Sequence, residues 1–147
     1  MPFEINRPLA GSLTGGISAY VTEVDSVEPT TILEADKDFK VHINWYLEGP
    51  LTPFVCGSWC VSIFMESIGP GPELKLPAEE LHIPLEPCPG RNDYSAWVLI
   101  PADTIRPEHC NVPYKLVATV TYRTPKDKPG PMAGFVDGPV LQFYVTD

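Results

Sequence analysis

One stretch of nine residues constrains the fold more than any other part of the chain, because its apolar side chains recur at every second position. Residues 114–122 read Tyr-Lys-Leu-Val-Ala-Thr-Val-Thr-Tyr, so the side chains from Tyr114 to Tyr122 at even positions share one face of an extended strand. A proline-rich turn follows, and an apolar run over residues 140–145 comes after it. This order predicts two neighbouring strands of a β-sandwich.

The same alternation predicts further strands over residues 17–24, 39–47, 59–65 and 94–100, with a short edge strand over residues 81–85. The cleanest is residues 39–47, where Phe39, Val41 and Ile43 begin one face and Lys40 and His42 begin the other. Prolines 77, 84 and 87 keep the edge strand out of a central ladder. We expect a bulge at residues 137–139 before the last strand.

Length and composition fit one globular domain with an N-terminal extension. A chain of 147 residues buries roughly 70% of the surface that its unfolded state exposes. Its 18 prolines and 11 glycines separate the alternating runs, as turn residues do. Residues 1–16 show no sustained period, which predicts an extended arm carrying Phe3, Ile5 and Leu9, and residues 17–147 form the predicted sandwich domain.

The order of features over roughly residues 17–147 resembles an immunoglobulin-like domain. An early strand carries a tryptophan, a crossover with an expected helical turn at residues 101–105 follows, and a Tyr-x-Leu-x-Ala strand leads into a final hairpin. The resemblance implies an all-β antiparallel sandwich of about seven strands. The paired cysteines and central tryptophan of antibody domains do not map at the expected spacing, so no antibody-type recognition is implied.

Charge and hydropathy exclude several classes of partner. Nineteen acidic residues against ten basic ones give a net charge of -9, and no basic cluster interrupts it, so we expect neither nucleic-acid binding nor docking on anionic lipid. No apolar run reaches the roughly 18 residues of a membrane span, so membrane insertion is not expected. The N-terminal residues do not resemble a secretory signal, which favours a cytoplasmic protein or export without a cleaved signal peptide.

The cysteines leave three alternatives open. The chain contains four cysteines: Cys56, Cys60, Cys88 and Cys110. They could form disulfides, bind zinc together with His82 or His109, or remain free thiols. The zinc spacing is poor, because only one close cysteine pair exists. His109 beside Cys110 suggests a nucleophile and base, but neighbouring side chains normally point apart, and no motif supplies an oxyanion hole.

An acidic segment offers oxygen ligands to calcium but lacks the regular spacing of a calcium loop. Its carboxylates are Glu23, Asp25, Glu28, Glu34, Asp36 and Asp38. We interpret it as a solvated, charged loop, with calcium binding left open. The sequence contains no phosphate loop, dinucleotide fingerprint or catalytic triad signature, so we predict no catalytic residues, no metal site and no cofactor.

Several aromatic and polar residues fall on the outward faces of their strands and form the candidate binding residues: Tyr20, His42, Asn44, Tyr46, Phe64, Trp97 and Tyr144. An exposed aromatic sheet face usually marks a binding surface. The alternative is that the N-terminal arm covers these rings.

These patterns lead to three hypotheses of function. The first is a non-enzymatic structural or protein-interaction module, whose partner is a protein and could be a second copy, bound through the arm (Phe3, Ile5, Leu9), the sheet edges or the aromatic face. The second is a carbohydrate-binding sandwich, in which Tyr46, Asn44 and His42 contact a glycan. The third is an enzyme whose site carries no known motif.

Overall fold

The computed structural model describes residues 3–146, with the side chains of residues 77–80 excepted. Within this part of the chain nine strands form: β1 (Phe3–Ile5), β2 (Thr14–Glu23), β3 (Ile32–Glu34), β4 (Phe39–Gly49), β5 (Ser58–Ser67), β6 (Leu74–Pro84), β7 (Gly90–Ile100), β8 (Tyr114–Arg123) and β9 (Pro129–Tyr144). One short helix, α1, spans Arg7–Ala10, and 3₁₀ turns lie at Thr52–Phe54 and Pro107–His109.

The strands form two sheets, which confirms the predicted all-β antiparallel sandwich. The smaller sheet has the order β2-β4-β7, and the larger has the order β1-β9-β8-β5-β6, with β3 added to β9. Neighbouring strands are antiparallel except for β3, which pairs in parallel with residues 142–144 of β9. The predicted edge strand corresponds to β6, which is longer than expected and lies at the edge of the larger sheet.

Seven long strands match the predicted number, and the two additional strands have three residues each. Both β1 and β3 pair with the same edge of β9, β1 with its first half and β3 with its second. Three residues are too few for a periodic pattern, which explains why the sequence did not predict them. The expected bulge is present in β9. In a regular ladder one residue of β9 would separate the partners of Lys115 and Val117, whereas two residues separate them here.

The N-terminal segment differs from the extended arm expected over residues 1–16. Its described part contains β1, the helix α1 and the first residues of β2, so the predicted domain boundary falls inside a strand. Phe3 is buried in the core with 4% of its surface exposed, while Ile5 and Leu9 pack against the same core. The helical turn of the crossover also differs, since it lies at Pro107–His109 rather than at residues 101–105.

An aromatic cluster joins the two sheets in the interior. Trp59 of β5 is fully buried, and its ring lies 5.8 to 6.3 Å, between centroids, from the rings of Tyr94, Tyr122, Phe3 and Trp45. Trp45 also stacks on Tyr94 at 5.7 Å. These contacts lie directly beneath the smaller sheet, so its outer face rests on a closely packed support.

Candidate functional site

The outer face of the smaller sheet brings together five of the seven predicted binding residues. In β4, Val41, Ile43 and Trp45 point into the core, so the residues between them face outward. The strand register then aligns three outward rows across β2, β4 and β7: Tyr20–His42–Trp97, Ser18–Asn44–Ser95 and Gly16–Tyr46–Asp93.

Two predicted binding residues lie elsewhere. Phe64 is on β5 of the larger sheet, where the Lys75 ammonium lies 5.9 Å from its ring centroid. Tyr144 ends β9 and is the register partner of Glu34 in β3. The structure therefore separates the predicted aromatic set into a cluster on the smaller sheet and two rings that lie away from it on the larger sheet.

A groove crosses the outer face of the smaller sheet. It consists of two depressions of about 580 and 490 Å³, and both are lined by Asn44 and Ser95. The first extends towards Tyr46 and Arg91, and the second towards Trp97. We call the row Ser18, Asn44 and Ser95 the polar row, because its small side chains lie between the two aromatic ends of the groove.

One end of the groove, in the depression of about 490 Å³, is built around Trp97. Its indole is 54% exposed, and the ammonium of Lys40 lies 4.3 Å from the ring centroid. Across the row, His42 and Tyr20 stack with their rings 4.7 Å apart and nearly parallel. Leu81 and Ile83 of β6 line the groove beside them.

The side chain of His42 is held at its polar edge as well as on its face. Its Nε2 lies 2.8 Å from the Thr22 hydroxyl, within hydrogen-bonding distance. Burial lowers the pKa of His42, and the positive charge of Lys40 lowers it further. The neutral form is therefore favoured, which leaves Lys40 as the main cation at this end of the groove.

The other end, in the depression of about 580 Å³, is built around Tyr46 and Arg91. The guanidinium of Arg91 lies 3.9 Å from the centre of the Tyr46 ring. It also pairs with Asp93 at 3.1 Å and with Glu48 at 3.8 Å. Gly16 of β2 is the register partner of Tyr46. A Cβ at Gly16 would lie 2.6 Å from a ring carbon of Tyr46, so the glycine leaves room for the ring.

The sequence analysis missed the contribution of β7 to this groove. Arg91, Asp93 and Ser95 share the outward side of β7 with Trp97, but the predicted strand began only at residue 94. The signal was present, because the alternation that places Trp97 outward continues backwards to Arg91. Lys40 was correctly predicted to face outward, but its contact with Trp97 requires the pairing of β4 with β7.

The cysteines are free thiols in the structure. Cys56 and Cys88 are exposed, whereas Cys60 and Cys110 are partly buried. Burial raises the pKa of the Cys110 thiol, and the charge of Glu108 raises it further. A nucleophilic thiol requires the opposite shift, so the position of His109 next to it does not activate this residue.

Metal-ligating side chains are dispersed. Among the described residues, no three histidine, cysteine, aspartate or glutamate side chains lie close enough to hold a metal ion. Carboxylates of the acidic segment, including Asp25 and Asp36, line a separate depression, where Glu34 pairs with Lys37 at 2.7 Å. No described helix is long and apolar enough to cross a membrane.

Comparison with known proteins shows likeness only in backbone shape. No family model matches the chain, and no curated protein matches it at a significant level. Among solved structures, it is similar to the C-terminal domain of wzt, with a TM-score of 0.49 and 8% identity over 91% of this chain and 77% of that one.

Two glycosidase structures are similar over a small part of their length. A putative β-galactosidase from Bacteroides fragilis has a TM-score of 0.42 and 12% identity, covering 83% of this chain and 16% of that one. A β-glucosidase involved in saponin metabolism from intestinal bacteria has a TM-score of 0.43 and 12% identity, covering 87% and 16%. At these scores the likenesses carry no argument about the function of this chain.

Proposed function

We propose that this chain is a non-catalytic carbohydrate-binding module that holds an oligosaccharide along the groove of the smaller sheet. The observation that carries the proposal is the groove itself, which has aromatic side chains at both ends and amide and hydroxyl groups between them. A sugar presents apolar C–H faces and many hydroxyl groups, so it needs both kinds of contact. Aromatic rings offer the first, and amides offer donors and acceptors for the second.

The polar row is free to bind a ligand. None of the hydrogen bonds among the described residues uses the side-chain amide of Asn44 or the hydroxyls of Ser18 and Ser95. All three side chains are exposed. They can therefore exchange water for sugar hydroxyls without breaking an internal hydrogen bond.

The length of the groove favours an oligosaccharide over a single sugar. Asp93 and Trp97 lie at its two ends and are four residues apart on one strand, a distance of about 13 Å at 3.3 Å per residue. A single pyranose ring is shorter than this distance. Two or more linked sugars can contact both aromatic ends at once.

The test is a glycan-binding assay with two matched variants. We expect Trp97→Ala to weaken oligosaccharide binding by about fivefold or more, since ring stacking of this kind contributes on the order of 1 kcal/mol or more. Phe135→Ala is the control, because Phe135 is similarly exposed, at 48%, but lies on the larger sheet. If no glycan binds, or if both variants reduce binding equally, the proposal is wrong.

Protein binding is the second candidate, and the outer face of the larger sheet is the observation that favours it. Phe135 and Val140 of β9 are each about half exposed there. Phe64 and Val117 are register partners on the same face, next to the row of Phe135. Such an apolar stripe on a sheet face is typical of protein interfaces.

A second copy of the chain is the partner to test first, by light scattering. A mass well above 16.2 kDa that falls in Phe135→Glu would support self-association through this stripe. A monomeric mass at all concentrations would exclude a second copy as its partner. Because Phe3 is buried in its own domain, an exchange of the N-terminal segment would first have to expose it.

A further inference from the structure

We propose that the Trp97 end of the groove binds an anionic sugar unit, one that carries a carboxylate or a sulfate ester, through the ammonium of Lys40. This inference rests on the proposed function and assigns the class of sugar that the same groove selects. The observation behind it is a difference between the two ends of the groove: among the described residues, the cation at one end is paired with carboxylates, and the cation at the other end is not.

At the Tyr46 end, the positive charge is already neutralised within the protein. Arg91 pairs with Asp93 at 3.1 Å and with Glu48 at 3.8 Å. Two carboxylates therefore face one guanidinium, and an incoming anion would meet repulsion as well as attraction. This end suits a neutral sugar.

At the Trp97 end, the positive charge has no carboxylate partner in the part of the chain that the structure describes. Among the described residues, no aspartate or glutamate oxygen lies within 4.0 Å of the Lys40 ammonium, and its contact is with the Trp97 ring. Its register partners on the outer face, Thr22 and Leu99, are uncharged. An unpaired cation is notable in a chain with a net charge of -9.

The ammonium is also held in position rather than free in solvent. The side chain of Lys40 is partly buried and its charge lies 4.3 Å from the centre of an indole that lines the groove. A sugar that contacts Trp97 would thus bring its substituents close to this charge. A carboxylate or sulfate there would form a charge-assisted hydrogen bond, roughly twice as strong as a neutral one.

The test compares matched acidic and neutral probes by calorimetry. The first pair is trigalacturonate and its methyl ester, and the second is sulfated and unsulfated galactotriose, so that the two sources of negative charge are separated. We expect at least one acidic probe to bind about tenfold more tightly than its neutral counterpart at low salt. The preference should shrink as NaCl rises from about 50 to about 300 mM.

Three variants assign the preference to Lys40. Lys40→Met keeps an apolar stem over Trp97 and should abolish the preference, measured as the ratio of acidic to neutral affinity in the same variant. Lys40→Arg should retain it, because the charge remains. Lys75→Met is the control, since Lys75 lies over the Phe64 ring on the other sheet. Thermal melts check that each variant is folded.

The outcomes separate this inference from the proposed function. Neutral probes that bind and lose affinity in Trp97→Ala, with no acidic preference, would overturn the role of Lys40 alone. An acidic preference that survives Lys40→Met would do the same. Absence of binding by every probe would overturn the inference and leave the carbohydrate-binding proposal to be decided by a wider glycan panel.

Discussion

Each aromatic side chain of the groove packs against a nitrogen-bearing side chain. Lys40 lies over Trp97, Arg91 over Tyr46, and His42 stacks on Tyr20. A cation over an exposed ring contributes about 0.5–1 kcal/mol, which is enough to restrict the orientations of both side chains. The rings are thereby held before a ligand arrives, which reduces the entropy lost on binding.

At the residue scale, we predict that His42 makes stability depend on pH. Its folded pKa is below the unfolded value of about 6.5, so the unfolded chain binds the proton more readily. Full stability is therefore present above about pH 6.5 and is lost as pH falls through the folded pKa. Among the described residues, the groups that face it are Lys40, which disfavours the proton, and the uncharged side chains of Tyr20, Thr22 and Trp97.

Urea unfolding at about pH 7.5 and about pH 5.5 checks this prediction. The wild-type chain should lose more unfolding free energy between the two values than His42→Gln, which can still hydrogen-bond Thr22 but does not titrate. His109→Gln serves as a control, because His109 lies in a turn outside the two sheets. Equal losses in wild type and His42→Gln would contradict the predicted shift.

At the element scale, glycines determine how β1 joins the domain. The ring of Phe3 lies between Gly15 of β2 and Gly134 of β9, its register partner. A Cβ at Gly134 would lie 2.5 Å from one ring carbon of Phe3, and a Cβ at Gly15 would lie 2.6 Å from another. The first strand is thus anchored by one aromatic ring that fits only where its neighbours lack side chains.

We predict that Gly134→Ala displaces Phe3 and detaches β1 from β9. The loss of Phe3 burial should lower the unfolding free energy by about 1.5–3 kcal/mol and speed hydrogen exchange in residues 3–5. The effects of Gly134→Ala and Phe3→Ala should not add, because both act on the same contact. Gly11→Ala is the control, since nothing lies within 4 Å of an added Cβ there. Additive effects would show that the glycine acts elsewhere.

The long strands were predictable from the sequence, whereas their short companions were not. Alternation in residues 39–47 and 114–122 reports which side of a strand is buried, and burial follows it at every position of β4 from Phe39 to Leu47. The three-residue strands β1 and β3 carry no period, so only their pairing with β9 defines them.

The site was predictable in part for the same reason. Periodicity placed Tyr20, His42, Asn44, Tyr46 and Trp97 outward, but it does not report which strands are neighbours. The separation of Phe64 from these residues, and the approach of Lys40 to Trp97, depend on sheet order. Sheet order is a long-range property that one sequence does not encode in any local pattern.

At the scale of the whole molecule, the sandwich presents two outer faces of different character. The smaller sheet carries the groove with its aromatic ends and polar row, and the larger sheet carries the apolar stripe around Phe135. The aromatic cluster around Trp59 connects them through the core. Both candidate surfaces therefore depend on the same packed interior.

We predict that Trp59→Ala lowers the unfolding free energy by about 3–5 kcal/mol, because it leaves a cavity where four aromatic rings meet. That loss is a large fraction of the roughly 5–15 kcal/mol that stabilises a typical domain. Denaturation followed by far-ultraviolet circular dichroism measures it without relying on tryptophan fluorescence.

Trp97→Ala is the matched control and should change stability by about 1 kcal/mol or less, since its indole is half exposed. Similar losses in the two variants would mean that Trp59 is not the centre of the core and that the groove has no rigid support beneath it.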